Sequence, residues 1–432
     1  MKCFQLLNGQ KDKHQARSVW SRSNSSISTD CDVRRSESMN VFDLSAESMR
    51  RSPLPTFSQR PTNLRVFTFS ELKNATKNFS RSVVLGEGGF GSVYRGSIKS
   101  LEDPQIRIEI AVKQLSRKGA QGHKEWLTEV NVLGIVDHPN LVKLIGYCAE
   151  DDERGMQRLL IYEFMHNRSV HDHLSTRSTT HIPWFRRLRI ALDAARGLTY
   201  LHEEMDFQII FRDFKTSNIL LDEHWNAKLS DFGLARQGPA EGLTHVSTAV
   251  VGTIGYAAPE YIQTGRLTSK SDTWSYGVFL YELITGRQPL DKNRPKNEQK
   301  LLAWIKPCIS DVKKFGKIVD PRMEADFSLH SGTRLAAVAN RCLVRQSKMR
   351  LKMSEVLDMV QRIVETRETG APELPLKSSV LNETTPEEKK KKGLNLNILE
   401  MPMTPKRSGI LKSSEGRKLV WHGWTPKFVK TH

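Results

Sequence analysis

One stretch of the sequence decides the fold: Phe211-Arg212-Asp213-Phe214-Lys215-Thr216-Ser217-Asn218, followed by Asp231-Phe232-Gly233. It sets two carboxylates and an amide at fixed offsets beside a lysine. Phosphoryl transfer needs little covalent help from a protein, because positioning, metal ions and positive charge do most of the work. The stretch predicts such a site, with Asp213 accepting a hydroxyl proton, Lys215 near the terminal phosphate, and Asn218 and Asp231 holding Mg²⁺.

Length and charge limit the classes of protein to which this chain can belong. The chain has 432 residues, of which 38% are hydrophobic, and a net charge of +18. This length exceeds one typical domain and predicts two lobes, or one domain with polar tails. The basic excess suits basic tails or an anionic membrane surface. Nucleic acid is disfavoured because no zinc-finger or RNA-binding signature occurs.

Two further features bear on location. The five cysteines are odd in number and scattered, which suits a reducing compartment better than a disulfide framework. No stretch reaches the roughly 18 apolar residues of a spanning helix, and the first residues are too polar for a secretory signal. The expected location is therefore the cytoplasm or the cytoplasmic face of the plasma membrane.

The composition divides the chain into three parts. Residues 1–66 are rich in serine and arginine and lack apolar periodicity, which predicts disorder. Residues 365–432 form a basic tail that prolines interrupt, and we expect it to be largely disordered as well. Ordered structure is expected over residues 67–364, with a core at about residues 80–364.

The ordered part changes character along its length. Strand-like runs occur at residues 108–112 and 159–162, and helical patterns occur at residues 186–204 and 269–286. An earlier helix is expected near residue 70, with Ser70 as its N-cap. This order predicts an α+β fold, with a strand-rich small lobe followed by a helical large lobe.

A glycine-rich turn lies between two strand-like runs, at Gly86-Glu87-Gly88-Gly89-Phe90-Gly91-Ser92-Val93. Glycine lets the backbone approach phosphate oxygens and adopts positive φ without strain. The pattern alone fits a tight hairpin equally well. It is not a Walker loop, and a dinucleotide fingerprint is disfavoured because no helix begins directly after it.

A lysine and a glutamate form a second candidate pair. Lys113 ends an apolar run and could direct its charge inward, although a charged edge-strand residue would read the same way. Glu129 shares a helical face with Trp126 and Leu133, and an inward glutamate is costly unless it is paired. We favour Glu129 as the partner of Lys113, with Glu125 as the alternative.

Taken singly, Asp213 and Asp231 could be turn or capping residues. Together with the glycine-rich turn, the lysine and Ala258-Pro259-Glu260, they occur in one order at compatible distances, so chance agreement is negligible. The set resembles a eukaryotic protein kinase. That resemblance implies a bilobal kinase fold, ATP with Mg²⁺ (or Mn²⁺), and protein substrates. Lys215 and Thr253 accompany serine/threonine specificity in this family.

The resemblance also assigns roles to individual positions. ATP-binding residues would be Leu85, Gly86, Gly88, Gly91, Val93, Lys113, Glu129 and the backbone of Glu163 and Met165, with Tyr162 as gatekeeper. Asp213 would be the catalytic base, acting with Lys215 and Asn218, while Asn218 and Asp231 would hold the metal ions. Structural support would come from Arg212, Phe232, Thr253, Glu260, Asp272 and Arg350, with Arg350 paired to Glu260 and Asp272 beneath the catalytic loop.

A narrower resemblance concerns the plant receptor-like cytoplasmic kinases of subfamily VII. It rests on Phe67-Thr68-Phe69, on Asp193-Ala194-Ala195-Arg196-Gly197-Leu198 and on His245-Val246-Ser247-Thr248. The opening Met1-Lys2-Cys3-Phe4 is similar to members that act in pattern-triggered immunity. The resemblance implies membrane receptor kinase complexes as partners and a relay role in immune signalling.

Four positions depart from the family pattern. Phe211 replaces a histidine, and its ring should preserve the packing against Phe232. Thr273 replaces a common valine, Leu351 a common proline, and Arg341 an apolar residue. A buried charge without a partner costs on the order of several kcal/mol. We therefore expect these changes to affect the last helices rather than the chemistry.

Regulation is predicted next to the catalytic aspartate. Arg212 precedes Asp213, and a basic residue there can pair with a phosphorylated loop. Thr244, Ser247 and Thr248 are the candidate phosphosites, although they could be ordinary exposed hydroxyls.

Membrane attachment is a separate expectation. Lysine at position 2 excludes N-myristoylation. A palmitoyl chain on Cys3, with the basic residues around it, could hold the protein at a membrane surface; an unmodified cysteine is equally compatible. The aromatic and cationic tail at residues 418–428 fits a solvated segment better than a docking segment.

Two functional hypotheses remain. The first is an active Ser/Thr kinase, and the second is a pseudokinase scaffold that binds partners without catalysis. The joint presence of Lys113, Asp213, Asn218 and Asp231 favours catalysis.

Overall fold

The structure is a computed structural model, and it describes residues 63–369 apart from 89–90, 101, 116–119, 154, 177, 179–180, 310 and 324–326. The expectations for Cys3, for the serine-rich N-terminal segment and for the basic C-terminal tail lie outside these residues. Among the described residues, no helix combines the length and apolarity needed to cross a membrane.

The small lobe is built on a sheet that has six strands in the described part of the chain, in the order β1-β5-β8-β4-β3-β2. Its strands pair antiparallel except for β1 and β5, which run parallel. The strands of this lobe, including the short β6–β7 hairpin, are β1 Arg65–Val66, β2 Val84–Gly88, β3 Gly91–Lys99, β4 Arg107–Leu115, β5 Leu144–Cys148, β6 Asp151–Asp152, β7 Gly155–Met156 and β8 Leu159–Glu163.

The two faces of this sheet bury different kinds of side chain. On one face Ile110 and Val112 of β4 are fully buried and pack in a small core with Phe67 and Leu72. Successive side chains of a strand point to opposite faces, so Lys113 lies on the other face. The alternation therefore directs one buried lysine toward the centre of the molecule.

Two helices accompany the sheet, α1 (Phe69–Ala75) and α2 (Ala120–Leu133). The prediction that Ser70 caps α1 is wrong, because Thr68 is the N-cap. The Thr68 hydroxyl accepts the backbone N–H of Glu71, and the Glu71 carboxylate accepts the backbone N–H of Thr68. This reciprocal capping box satisfies two backbone N–H groups at the start of the helix. With Ser70 as the N-cap, these two donors would be left unpaired.

The large lobe is mostly helical, as predicted. Its long central helix α6 is buried along most of its length, and α4 and α10 pack side by side. Its helices are α3 Val170–Leu174, α4 Trp184–Thr199, α5 Pro259–Thr264, α6 Ser269–Thr285, α7 Leu301–Ile305, α8 Val312–Phe315, α9 Leu329–Cys342 and α10 Met353–Thr369. Its short strands are β9 Ile209–Ile210, β10 Ile219–Leu221, β11 Ala227–Leu229, β12 Arg236–Gln237, β13 Val246–Ser247 and β14 Arg266–Leu267. The α+β organisation is confirmed.

The reason given for weakness of the last helices, a buried charge without a partner, is absent at Arg341, Thr273 and Leu351. Arg341 is exposed rather than buried, and its guanidinium donates to the Met359 sulfur at 3.3 Å. Thr273 is buried, but its hydroxyl donates to the Ser269 carbonyl within the same helix. Leu351 is buried in the main core. The three departures therefore leave no buried charge unpaired in this part of the molecule.

Candidate active site

The loop that carries Asp213, which we call the catalytic loop (residues 211–218), is held in place by one buried carboxylate. Asp272 of α6 accepts the backbone N–H of Phe211 at 2.7 Å and that of Arg212 at 2.8 Å. His202 Nε2 lies 2.8 Å from the same carboxylate. Hydrogen bonds to a carboxylate are among the stronger neutral-to-charged contacts. They hold Arg212 at a φ of +75°, a conformation that non-glycine residues adopt at a cost.

The Asp213 carboxylate is the point where the predicted residues converge. Lys215 Nζ lies 2.7 Å from Oδ2, and the Thr253 hydroxyl donates to Oδ1 at 2.7 Å. Lys215 also donates to Thr253 at 3.1 Å. The fold brings the side chains of Asp213, Lys215 and Thr253 together, although Thr253 is distant from the other two in sequence.

The Asn218 amide is oriented by its nitrogen. Nδ2 donates to the Asp213 carbonyl at 3.0 Å and to the Asp213 carboxylate at 3.2 Å. Since both contacts use the nitrogen, the amide oxygen is the atom left to face a cation. The Asn218 carbonyl accepts the Ser230 N–H at 2.8 Å, which fixes the segment that leads to Asp231.

A buried network joins the small lobe to Asp231. Lys113 Nζ lies 2.6 Å from Glu129 Oε1 and 2.7 Å from Asp231 Oδ1. The expected Lys113–Glu129 pairing is confirmed over the alternative with Glu125. Burial disfavours the charged lysine, but Glu129 and Asp231 outweigh it and hold the pKa of Lys113 above its usual value. For Asp231, burial is likewise outweighed by Lys113, so its pKa lies below the usual value.

Tyr162 adds a contact that the sequence did not reveal. Its hydroxyl donates to the second oxygen of the Glu129 carboxylate. Glu129 is fully buried, so this bond and the Lys113 ammonium together satisfy both of its oxygens. The tyrosine at the end of β8 therefore fixes α2 against the sheet.

The described part of the glycine-rich turn shows two kinds of glycine. Gly91 has a φ of +131°, and a Cβ there would meet the Gln114 carbonyl at 2.0 Å, so the fold itself requires glycine. A Cβ on Gly86 would meet nothing within 4 Å. Leu85, Gly86 and Gly88 lie on β2, and Val93 lies on β3 directly across from Lys113. The fold therefore requires glycine at position 91 and leaves room for a Cβ at position 86.

The end of β8 is held by contacts with Lys143 and Lys228. The Glu163 carboxylate accepts the Lys143 N–H at 2.8 Å and the Lys228 ammonium at 2.9 Å. The Glu163 N–H donates to the Lys143 carbonyl at 3.1 Å. Met165 is buried nearby. These contacts fix the backbone stretch that was predicted to face adenine.

Two supporting contacts match the sequence predictions. The rings of Phe211 and Phe232 meet edge to face with centroids 4.9 Å apart, as expected for the aromatic replacement. Arg350 forms a bidentate ion pair with Glu260, with both distances 2.6 Å. The predicted packing and pairing are therefore present.

The segment with the candidate phosphosites contacts the catalytic loop. Arg212 donates to the Thr248 hydroxyl at 3.0 Å, to the Tyr261 hydroxyl at 2.9 Å and to the Ala249 carbonyl. Thr244 is exposed, and its hydroxyl lies 3.0 Å from His245 Nδ1. Among the candidate phosphosites, Thr248 is the one whose hydroxyl already accepts a hydrogen bond from Arg212.

Sequence reasoning missed several supporting residues. His202 contacts Asp272, and Tyr261 contacts Arg212. The Glu282 carboxylate of α6 accepts hydrogen bonds from the hydroxyls of Thr216, at 3.1 Å, and Tyr256. Burial outweighs these two donors and raises the pKa of Glu282 to about 8. No local pattern marks these residues, because each meets its partner only through the tertiary fold.

A lysine–carboxylate network, a fixed catalytic-loop aspartate and an asparagine–aspartate pair between two lobes define a protein kinase. The family model described as protein tyrosine and serine/threonine kinase matches residues 79–360, and the chain belongs to this family. The family implies the use of ATP and a divalent metal ion.

Curated relatives are similar over most of the chain. The serine/threonine-protein kinase PCRK1 of Arabidopsis thaliana is 64% identical over 386 residues, which cover 88% of this chain and 92% of that protein. PCRK2 of the same plant is 62% identical over 388 residues, with 88% and 92% covered. Receptor-like cytoplasmic kinase 176 of Oryza sativa subsp. japonica is 49% identical over 327 residues, with 74% and 82% covered. The chain is a plant-type serine/threonine protein kinase.

We expect Tyr162→Phe to destabilise the small lobe while keeping its ring packing. The change removes one donor from a buried carboxylate, and an unsatisfied buried acceptor costs about 1–3 kcal/mol. Urea unfolding of the full chain measures the loss. Tyr147→Phe is the matched control, because its hydroxyl donates no hydrogen bond within the described residues. Equal stability of the two variants would contradict the role of the Tyr162 hydroxyl.

Proposed function

We propose that this chain transfers the γ-phosphate of ATP to serine or threonine hydroxyls of protein substrates, with Asp213 as the proton acceptor. The carrying observation is the convergence of Lys215, Thr253 and Asn218 on the Asp213 carboxylate. We further propose that the kinase domain spans residues 67–364, between tails at residues 1–66 and 365–432.

In the proposed mechanism, the substrate hydroxyl oxygen attacks the γ-phosphorus while Asp213 accepts the hydroxyl proton. Lys215 lies within contact distance of Asp213, so its ammonium can stabilise charge on the transferred group. Lys113, held by Glu129, would bind the α- and β-phosphates. The Thr253 hydroxyl and the Asn218 amide keep the Asp213 carboxylate oriented, which limits the reorganisation needed at the reaction step.

The residues present fit a magnesium ion. Mg²⁺ is usually bound through one or two carboxylates together with substrate phosphates, rather than by a cage of protein ligands. Asp231 offers a carboxylate, and Asn218 offers the amide oxygen that its own hydrogen bonds leave unused. When bound, the metal neutralises charge on the phosphates. Asp231 and Asn218 would hold it, and Lys113 would keep Asp231 ionised.

The proposed nucleotide site follows the same surfaces. Leu85 and Val93 would cover the base from the small lobe, and Gly86, Gly88 and Gly91 would lie over the phosphates. The backbone of Glu163 and Met165 would contact adenine. The support is that β3 and β8 flank β4 in the sheet, with Val93 and Leu160 directly opposite Lys113, and that β2 pairs with β3.

We expect Thr248→Ala to lower kcat of the autophosphorylated enzyme by about tenfold or more. A phosphate on Thr248 would gain charge-assisted hydrogen bonds from Arg212, each worth about 1.5–3 kcal/mol, and tenfold corresponds to about 1.4 kcal/mol. Steady-state phosphorylation of a peptide measures the change. Thr244→Ala is the control, because Thr244 does not contact Arg212. Full activity of phosphatase-treated wild-type enzyme would contradict the switch.

We propose that the kinase relays signals from plasma-membrane receptors in plant immune signalling. The support is the likeness to relatives, one of which is named a receptor-like cytoplasmic kinase. Membrane attachment through Cys3 and the basic N-terminus belongs to the same proposal. The test compares elicitor-induced phosphoproteomes of plants that lack the protein and carry either wild-type, Asp213→Asn or Cys3→Ser chains. Identical phosphoproteomes in all plants, including those without any copy, would overturn the relay.

A further inference from the structure

The chain segment before α1 forms one edge of the small-lobe sheet. Strand β1 pairs in parallel with β5, and the register places Arg65 opposite Gly146. The N–H of Phe67 then donates to the Tyr147 carbonyl at 2.8 Å. We call residues 65–69 the N-terminal strap, because they bind along β5 before α1 turns away.

The strap is closely packed against the sheet. The Phe67 side chain is buried in the small core, and the N–H of Phe69 donates to the Glu150 carboxylate at 2.9 Å. A Cβ on Gly146 would meet the Arg65 carbonyl oxygen at 2.0 Å and the Phe67 ring at 2.7 Å. The three atoms nearest to that Cβ all belong to the strap. Docking of the strap is therefore the reason that position 146 needs glycine.

The other face of β5 contacts α2 through one tryptophan. Side chains alternate between the two faces of a strand, so Tyr147 points away from the face that carries Gly146. The Tyr147 ring meets Trp126 of α2 edge to face, with centroids 5.5 Å apart. Trp126 is 5% exposed, and its indole N–H donates to the Leu159 carbonyl of β8 at 3.1 Å. Trp126 therefore anchors α2 to both β5 and β8.

A second set of contacts joins the strap to the same tryptophan. Glu150, which accepts the Phe69 N–H, uses its carbonyl to accept the Arg158 guanidinium at 3.3 Å. That guanidinium lies over the Trp126 ring, 5.6 Å from its centroid. A cation over the face of a tryptophan is attracted by the ring. The strap thus reaches Trp126 through the β5 tyrosine and through Arg158.

Trp126 is placed to control the buried ion pair of the active site. It lies three residues before Glu129, and residues at this spacing share one face of a helix. Glu129 is fully buried, with Oε1 2.6 Å from Lys113 Nζ. A shift of α2 that separates Trp126 from the sheet would also draw Glu129 away from Lys113.

We propose that the N-terminal strap is a positioning element for phosphoryl transfer, which holds Tyr147 against Trp126 and thereby keeps Glu129 on Lys113. This inference rests on the proposed kinase function, in which Lys113 binds the α- and β-phosphates. Strands β5 and β8 separate β1 from β4, the strand of Lys113, so the strap acts through α2 and not by direct contact. The strap also precedes residues 79–360, the part of the chain that the family model matches.

The test uses the full chain with Gly146→Ala, which the docked strap cannot accommodate because the nearest atom is a backbone oxygen. We expect kcat/KM for ATP to fall by about tenfold, since a misplacement of about 1 Å can cost about 10²-fold. The KM for a peptide substrate should stay unchanged, because Asp213 and its contacts lie in the other lobe. Gly316→Ala is the matched control. A Cβ there would meet nothing within 4 Å, so activity should not change.

A spectroscopic readout shows whether the effect passes through Trp126. The chain has 8 tryptophans, and ¹⁹F NMR of the chain labelled with 5-fluorotryptophan resolves them once Trp126→Phe has identified the signal of Trp126. We expect Gly146→Ala to shift that signal and Gly316→Ala to leave it in place. A ring in position 147 carries the contact, so Tyr147→Leu should lower kcat/KM for ATP as Gly146→Ala does, whereas Tyr147→Phe should not.

Three results would overturn the inference. They are a wild-type kcat/KM for ATP in Gly146→Ala, an equal loss in Gly316→Ala, and a loss that leaves the Trp126 signal in place. If Gly146→Ala does not fold, Tyr147→Leu decides, because Tyr147 is half-buried and its variant keeps the strap docked. Wild-type kcat/KM in that variant would also overturn the inference. The ¹⁹F comparison needs no catalysis, so a failure of the proposed kinase chemistry would be seen separately, as absent peptide phosphorylation by the wild-type chain.

Discussion

Asp213→Asn should reduce phosphoryl transfer by several powers of ten while leaving the fold intact. Proton transfer by a positioned side chain contributes about 10²–10⁴-fold, and each power of ten corresponds to about 1.4 kcal/mol of barrier. The amide keeps the size of the carboxylate, and its single oxygen can still accept from one of the two donors, Thr253 on Oδ1 or Lys215 on Oδ2. It cannot take a proton from the substrate hydroxyl. Phosphate incorporation into a peptide measures the loss.

The control for this prediction is Asp358→Asn. Asp358 is an exposed residue of α10, in a helix that packs on α4 and α9 rather than on the catalytic loop. It makes the same chemical change and should leave the rate unchanged. Thermal unfolding of both variants separates a loss of chemistry from a loss of fold. Equal incorporation by Asp213→Asn and wild type would exclude catalysis by Asp213 and favour the scaffold hypothesis.

The catalytic loop could be predicted because its parts are close in sequence. Asp213, Lys215 and Asn218 occur in one short run, so the local backbone brings them together. The Lys113–Glu129 pair could be predicted for another reason. An acidic residue on an apolar helical face needs a cation, and burial makes the alternative costly. In both cases a local sequence pattern or a simple energetic requirement was enough to predict the contact.

Other contacts could not be predicted, because they depend on how distant segments meet. Nothing around Tyr162 indicates that its hydroxyl reaches Glu129, since that bond needs the packing of α2 on β8. The register that opposes Ser247 to Arg266 also appears only in the fold. Arg341 shows the converse error. An apolar residue is usual at this position in the family, so a buried charge was expected, yet the helix directs Arg341 outward.

Arg350→Met should cost about 3–5 kcal/mol of unfolding free energy, because it leaves one partner of a buried ion pair uncompensated. The Arg350 side chain is fully buried and the Glu260 side chain is 22% exposed. The guanidinium also donates to the Val344 carbonyl at 2.7 Å and to the Lys270 carbonyl at 2.9 Å, so these acceptors lose their donor as well. Urea unfolding measures the loss, and Arg362→Met on the exposed side of α10 should change stability by less than about 0.5 kcal/mol.

The double variant Glu260→Met with Arg350→Met decides how the pair stabilises the protein. If most of the cost comes from the unpaired, partly buried Glu260 carboxylate, removing both charges should recover part of the stability that Arg350→Met loses. If the carbonyl contacts of Arg350 dominate, the double variant should be no more stable than Arg350→Met alone. Glu260 lies on α5, and Arg350 lies between α9 and α10. A loss confined to stability, with kcat unchanged in the folded fraction, would show that this pair anchors α5 to the last helices without taking part in the chemistry. An Arg350→Met variant as stable as wild type would contradict both explanations, the unpaired carboxylate and the lost carbonyl contacts.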